Sequence, residues 1–391
     1  MTVLAIVVAV VASLLLIPAA IFFAECVASL FLRSDAGAVR PEGVSVVVLI
    51  PAHDEKAGIG QTVAGLRTQL APDDRVLVVA DNCSDDTAAL ARAAGADVIE
   101  RFDPQRRGKG YALAFGIDHL GSHPPDLVII VDADCKLTPG SIDALVERAI
   151  RTQRPVQADY VSRPAERSVM SMISALAMLV RNRVRPRGLR ALGQPCQLMG
   201  TGMAFSWKAI RVAPELGANI VEDMAMGIEL ALLGYEPLFC AGAGVRSELP
   251  GARSAAIQQR RRWEHGHIAT LLEHGPRLIG EGLRRRQLGL VVLGADLMVP
   301  PLSFLVGLLL AVSAIAGSLL ALGGPSYPLQ IVGVALGFVT LGVAVGWARY
   351  GRETIPFRYL LLVPLYVLWK VPLYLSFLFG RRERAWRRTE R

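Results

Sequence analysis

LVIIVDADCK, residues 127 to 136, joins two halves of opposite character: five apolar residues in a row, then two carboxylates one residue apart. An unbroken apolar run of that length suits a strand covered on both faces, as in the middle of a parallel sheet. Alternate residues of a strand share a face, so Asp132 and Asp134 point the same way if the strand continues through them. Like charges held that close repel unless a cation lies between them. A divalent ion that favours oxygen ligands, Mg²⁺ or Mn²⁺, arriving with a phosphorylated substrate, meets that need. An isolated D-x-D reads as readily as a strand ending in solvated acids before the turn at Pro139 and Gly140. The rest of the chain has to decide.

Outward from this stretch the pattern repeats. VSVVVLI (44–50) runs into PAHDE (51–55), and RVLVVA (75–80) into DNCSDD (81–86), with the helix-like TAALARAAGA (87–96) behind it. Strand, acidic turn and helix in succession describe βαβ units, hence an α/β domain with a mostly parallel sheet. Ligands of such sheets bind beyond the carboxyl ends of the strands. His53, Asp54, Glu55, Asp81, Asp132 and Asp134 all fall there.

The flanks are of another kind. At 391 residues, 52% of them hydrophobic, and with a mean hydropathy of +0.41, the chain is too apolar for an ordinary soluble enzyme. Its charged middle excludes a pure membrane bundle. Residues 3 to 32 are apolar apart from Glu25, long enough to cross ~30 Å of hydrocarbon, and no cleavage-site pattern follows them, so 1–32 reads as a transmembrane anchor. Arg33 and Arg40 come next and put the middle of the chain on the cytoplasmic side. Residues 287–380 form a second apolar region with clear spans at 302–322 and 329–347. Within it 287–299 is short, and 359–379 is interrupted by Pro364, Lys370 and Pro372, so either piece reads as interfacial or crossing. The tail 381–391, RRERAWRRTER, has six Arg against two Glu, half of the net charge of +8. Beside apolar segments such a tail meets anionic lipid headgroups, and no base-reading module suggests nucleic acid. Five scattered cysteines without C-x-x-C spacing fit a reduced compartment and give no support to zinc or disulfides.

Further motifs lie between the flanks. RRGKGYALAFG (106–116) sets glycines on both sides of Lys109 at the start of a helical pattern, which suits a phosphate, although it is not a P-loop. Asp81 closes a strand where it can accept hydrogen bonds from a base or ribose, and a plain Asx turn explains it equally well. VEDMAMGIELALLGY (221–235) begins a helix with Glu222 and Asp223, which either complement the helix dipole or supply a general base. QQRRRWEHGH (258–267) concentrates three arginines beside Trp263, a pairing suited to a pyrophosphate and a sugar face.

VADNCSDD around Asp81, DAD at 132–134, GTGMAF at 200–205, ED at 222–223 and QRRRW at 259–263 follow one another in an order that resembles the membrane-embedded inverting glycosyltransferases of family 2. That group includes cellulose, chitin, hyaluronan and poly-N-acetylglucosamine synthases and ceramide glucosyltransferases. The resemblance covers residues 44–275 and implies a cytosolic GT-A domain flanked by transmembrane helices in the inner membrane. It implies donor contacts by Asp54, Glu55, Asp81, Lys109, Asp132 and Asp134, with Asp132 and Asp134 holding Mg²⁺ or Mn²⁺. It further implies Asp223 as catalytic base, and Gln259, Arg262 and Trp263 at the diphosphate and acceptor. Val221 stands where several relatives carry Thr. The expected activity is that of an inverting hexosyltransferase, taking a nucleotide sugar, UDP-linked first, and acting on a carbohydrate or lipid acceptor in polysaccharide synthesis. Two alternatives stay open: a single-addition lipid glycosyltransferase, and a catalytically silent nucleotide-sugar binder.

Overall fold

The computed structural model describes residues 2–32, 39–164, 168–214, 217, 221–248 and 253–378, without the side chains of 253–260, 262, 371–373 and 375–378. The tail at 381–391 and Arg33 lie outside the described residues. In chain order the first elements are α1 (Thr2–Ala28), β1 (Val46–Ala52), α2 (Ile59–Arg67), β2 (Arg75–Asp81), α3 (Thr87–Ala93), β3 (Asp97–Arg101) and α4 (Lys109–Leu120). β4 (Leu127–Ile130), β5 (Lys136–Leu137), α5 (Ser141–Thr152), β6 (Val156–Arg163), α6 (Val169–Leu179) and α7 (Arg185–Ala191) follow. Then come β7 (Met203–Ser206), α8 (Trp207–Arg211), α9 (Glu222–Leu232) and β8 (Leu238–Glu248). The chain continues with α10 (Arg253–Arg285), α11 (Leu288–Leu297), α12 (Leu302–Ala321), α13 (Tyr327–Gly346) and α14 (Val363–Leu378).

These elements divide into two units. Among the described residues, one takes in 39–163 and 194–248, the other 2–32, 164–193 and 253–378. The expected span 44–275 thus contains two stretches, 164–193 and the start of α10, that group with the helices.

The first unit is built on an eight-stranded sheet in the order β3-β2-β1-β4-β7-β6-β8-β5. β3, β2, β1 and β4 run parallel, as the repeated strand, turn and helix dictate. β7 then pairs antiparallel with β4 and with β6, while β6 and β8 are parallel. The run that opened the sequence is central: Val46 to Leu49 lie against Leu127 to Ile130 on one side, and Met203 to Ser206 on the other. All four residues of β4 are buried, which is why that strand shows no polar alternation. Leu49, Val79, Leu113, Ile130 and Phe205 belong to one core cluster between the sheet and its helices.

One expectation about this strand needs correction. β4 stops at Ile130, and Asp132 and Asp134 sit in a turn closed by the Cys135 N–H donating to the Asp132 carbonyl at 3.0 Å. Ala133, between them, is buried, and its carbonyl accepts from Thr62 Oγ1 at 2.7 Å. The two carboxylates therefore converge through a pinned turn and not through strand alternation.

In the helical unit, three helical stretches among the described residues are long and apolar enough to cross a membrane: Thr2–Phe31, Leu302–Ala321 and Tyr327–Gly351. α11 is a shorter apolar helix. α14 runs through Pro372, although that residue removes a helical hydrogen bond, while Pro364 lies in its first turn, where no such bond is lost. Two ionic knots tie this unit together. Arg185 of α7 donates to Glu25 of α1 and to Asp296 of α11, both at 2.5 Å. Lys370 of α14 pairs with Glu264 of α10 and donates to Ser303 of α12 at 3.1 Å.

Candidate active site

The carboxyl ends of the parallel strands carry the candidate residues, as the topology requires. After β1, Asp54 takes a left-handed backbone (φ 52°) and accepts from the Ser84 N–H at 2.6 Å. The Glu55 N–H donates to Thr87 Oγ1 at 2.8 Å, so the loop after β1 is docked on the loop after β2. Asp85 accepts the Thr87 N–H at 3.0 Å, which fixes the turn that leads into α3. Asp81 is buried at the end of β2, where Arg101 donates to it at 2.6 Å and Asn82 at 2.9 Å. Arg101 was invisible in the motifs. It lies opposite Asp81 in the β2–β3 register, so only correct strand pairing reveals it.

A second group gathers around Lys109. Gly108, at φ 136°, adopts a backbone that side chains rarely allow, and α4 begins on the next residue. The Lys109 ammonium lies 2.6 Å from Asp132 Oδ1 and 3.5 Å from Glu222 Oε1, and donates to the Gly200 carbonyl at 2.5 Å. Asp223, next to Glu222 in the first turn of α9, belongs to the same cluster. A Cβ built on Gly200 would lie 3.2 Å from Asp223 Oδ2 and 3.6 Å from Lys109 Nζ. Gly200 has φ +87°, a backbone that favours glycine, and a side chain there would crowd Asp223. Thr201 Oγ1 accepts from the Asp132 N–H at 3.1 Å. Buried Gln157 of β6 holds the 199–201 stretch by donating to the Thr201 carbonyl and accepting from the Met199 N–H, at 2.9 and 2.8 Å. Gln157 is the member of this framework that the motifs did not mark.

The electrostatics follow from crowding. Burial alone would lower the Lys109 pKa, but Asp132 and Glu222 outweigh it and hold the ammonium above its ordinary value. Burial raises the Asp132 carboxyl against the pull of Lys109, with Asp134 and Asp223 adding to the rise. Burial likewise pushes Glu222 up to about 7, opposed by Lys109 and assisted by Asp223. The cluster holds more negative charge than one lysine neutralises, which is a demand for further cations.

Whether the residues suit a divalent ion can be tested on the donor set. Ligand atoms of Asp132, Asp134 and Cys135 lie within 4.8 Å of one another. Cys135 is a buried thiol, a soft donor, whereas Mg²⁺ and Mn²⁺ favour the oxygens of the two carboxylates. An all-oxygen donor pair suits Mg²⁺ or Mn²⁺, and Lys109 on Asp132 shows that the position accommodates a cation.

Among the residues expected from QRRRW, the side chains of Gln259 and Arg262 lie outside the described residues. Trp263 is half-buried on α10 of the helical unit.

Comparison with known proteins now adds independent information. A relative from Staphylococcus aureus, 4,4'-diaponeurosporenoate glycosyltransferase, is 32% identical over 108 residues, 27% of this chain and 28% of the relative. The chain thus matches little over a quarter of the length of that curated relative. Among solved structures, the mannosyltransferase PcManGT from Pyrobaculum calidifontis, in complex with GDP-Man and Mn²⁺, is similar with a TM-score of 0.51 at 16% identity. The match covers 96% of this chain and 100% of that one, and at this identity it speaks to the fold alone. The mixed, mostly parallel sheet is that of the GT-A fold. The model of the family described as glycosyltransferase like family 2 matches residues 41–266, more than half of the chain, and the chain belongs to that family.

Proposed function

We propose that this protein is an inverting, metal-dependent glycosyltransferase that moves a hexosyl group from a nucleoside diphosphate sugar to an acceptor hydroxyl at a membrane. The observation that carries the reading is the gathering of Lys109, Asp132, Glu222 and Asp223 beyond the carboxyl ends of the sheet strands. Asp132 and Asp134 would hold Mg²⁺ or Mn²⁺, which when bound neutralises charge on the leaving diphosphate. Asp54, Glu55 and Asp81 border the nucleotide; Asp81, steadied by Arg101, accepts hydrogen bonds from base or ribose. Asp223 takes the proton of the attacking hydroxyl. The acceptor oxygen bonds to C1 as the C1–O bond to the diphosphate breaks, and the electron pair leaves with the phosphate. Lys109 stabilises that departing charge, and Gln259, Arg262 and Trp263 keep the diphosphate and acceptor roles that the family resemblance implies. One displacement inverts C1, so an α-linked donor gives a β-linked product.

Polysaccharide synthesis, with a cytosolic catalytic domain on the inner membrane and a UDP-sugar donor, is the role expected from the family. A second reading, addition of one sugar to a membrane-soluble acceptor, is favoured by the modest set of three span-length helices among the described residues. The name of the S. aureus relative also supports it. Detergent-purified protein incubated with Mn²⁺ or Mg²⁺ and a panel of UDP- and GDP-sugars, with membrane lipid extract and oligosaccharides as acceptors, tests both. A sugar product lost in Asp223→Asn supports the proposal, and its size separates polymer from single addition. No transfer with any donor would overturn it.

A further inference from the structure

The arrangement around Lys109 raises a conflict that the donor set alone does not resolve. Asp132 is proposed to hold a divalent ion, yet its Oδ1 lies 2.6 Å from the Lys109 ammonium. A carboxylate accommodates several partners, but an ammonium and a dication that close repel strongly at the low effective dielectric of a half-buried site. Lys109 has a second carboxylate within reach, Glu222 Oε1 at 3.5 Å, too long for a full hydrogen bond and short enough to become one. It also has a fixed anchor, the Gly200 carbonyl at 2.5 Å, about which the head can turn without letting go. Lysine suits this role because its charge is compact and its three donors rotate on a flexible stem.

We propose that Lys109 and the divalent ion are alternative partners of Asp132, and that Glu222 is the positioning residue that receives Lys109 when the ion takes Asp132. The exchange turns about the Gly200 carbonyl and carries the ammonium toward Glu222 and its neighbour Asp223, to which Lys109 is already electrostatically coupled. Glu222 touches neither the sugar nor the ion. It acts through Lys109. This inference rests on the proposed metal role of Asp132 and Asp134.

The test is equilibrium binding of Mn²⁺ alone to the full-length protein in detergent, by calorimetry or by the loss of the free-ion EPR signal. Lys109→Met, which removes the competitor, should bind Mn²⁺ at least about tenfold more tightly. Lys109→Gln gives the same expectation and guards against a variant that fails to fold, whereas Lys109→Arg should stay close to wild type. Glu222→Gln should weaken Mn²⁺ roughly fivefold in the wild-type background, because Lys109 then has nowhere to go, and should have no effect once Lys109 is Met. An equal weakening in both backgrounds would mean a simple through-space charge effect and would overturn the exchange. So would unchanged Mn²⁺ affinity in Lys109→Met and Lys109→Gln. If Asp134→Asn binds Mn²⁺ like the wild type, the metal reading itself fails, a result distinguishable from failure of the exchange alone.

Discussion

Arg185 in the helical unit and Lys109 in the sheet unit are both cations between carboxylates, but they are built for different ends. Arg185 holds Glu25 and Asp296 at 2.5 Å each, and all three side chains are less than a tenth exposed. Its guanidinium directs separate donors to each partner in a fixed fork, and a further donor reaches the Asp296 carbonyl at 2.8 Å. Nothing there is left for a ligand to do. Lys109 instead has one tight carboxylate and one loose one, with 20% of its side chain and 32% of that of Asp132 exposed. An ion pair that is sealed and geometrically complete pins helices together, whereas one that is open, lopsided and short of positive charge waits for something from solution.

That contrast orders the expected effects of mutation. The largest belongs to Asp223→Asn, which keeps the shape of the cluster but removes the proposed base. Transfer should fall about 10²–10⁴-fold in a product assay, while the melting midpoint stays near that of the wild type. Arg185→Met should do the opposite, leaving Glu25 and Asp296 buried together without their cation. A loss of about 3–5 kcal/mol is expected, visible as a lower melting midpoint and poor recovery from the membrane. Gly200→Ala lies between the two regions in character. The methyl group would crowd Asp223 from a backbone at φ +87°, so kcat should drop roughly tenfold or more, with about 1–3 kcal/mol of stability lost to the strained backbone.

The smallest effect is in pH dependence. Because burial raises Glu222 to about 7 in the fold from an ordinary value of 4.5, the folded state holds its proton more tightly than the unfolded chain. Its protonated form costs nothing below about pH 4.5, and the ionised form penalises the fold progressively as pH rises toward 7. Wild-type melting should therefore fall across that window relative to Glu222→Gln, which has no proton to lose. Parallel curves for the two proteins would show that Glu222 is not strained by its surroundings.

Much of the sheet unit was legible because the cues are local. The apolar runs of β1, β2 and β4 have no other use than burial, and Gly108 and the acidic first turn of α9 mark their helix starts. Asp132 and Asp134 stood out in the sequence, but through the wrong geometry. Their turn depends on Thr62, 71 positions from Ala133 in the chain, and no strand pattern records such a contact. Arg101 and Gln157 were missed for a related reason. Each reads as an ordinary polar residue in a strand until the register sets it beside Asp81 or the 199–201 stretch. Glu222 was visible in its motif, yet its part depends on Lys109, Asp132 and Gly200, which meet only in the folded chain. Of the prolines in the last apolar run, Pro364 falls in the first turn of α14, after the 3₁₀ turn Phe357–Leu362, and the helix continues through Pro372 because packed neighbours can sustain it against the loss of a single hydrogen bond.

The central claim is that the open cluster divides its labour, with Asp132 and Asp134 binding metal and donor and Asp223 performing chemistry. Donor binding, measured by calorimetry with whichever UDP- or GDP-sugar is turned over and with Mn²⁺ present, tests it most directly in the wild type, Asp134→Asn and Asp223→Asn. Asp134→Asn should lose metal-dependent donor binding, while Asp223→Asn should bind the donor as the wild type does and transfer it about 10²–10⁴-fold more slowly. Normal, Mn²⁺-dependent binding by Asp134→Asn, or full transfer by Asp223→Asn, would contradict it.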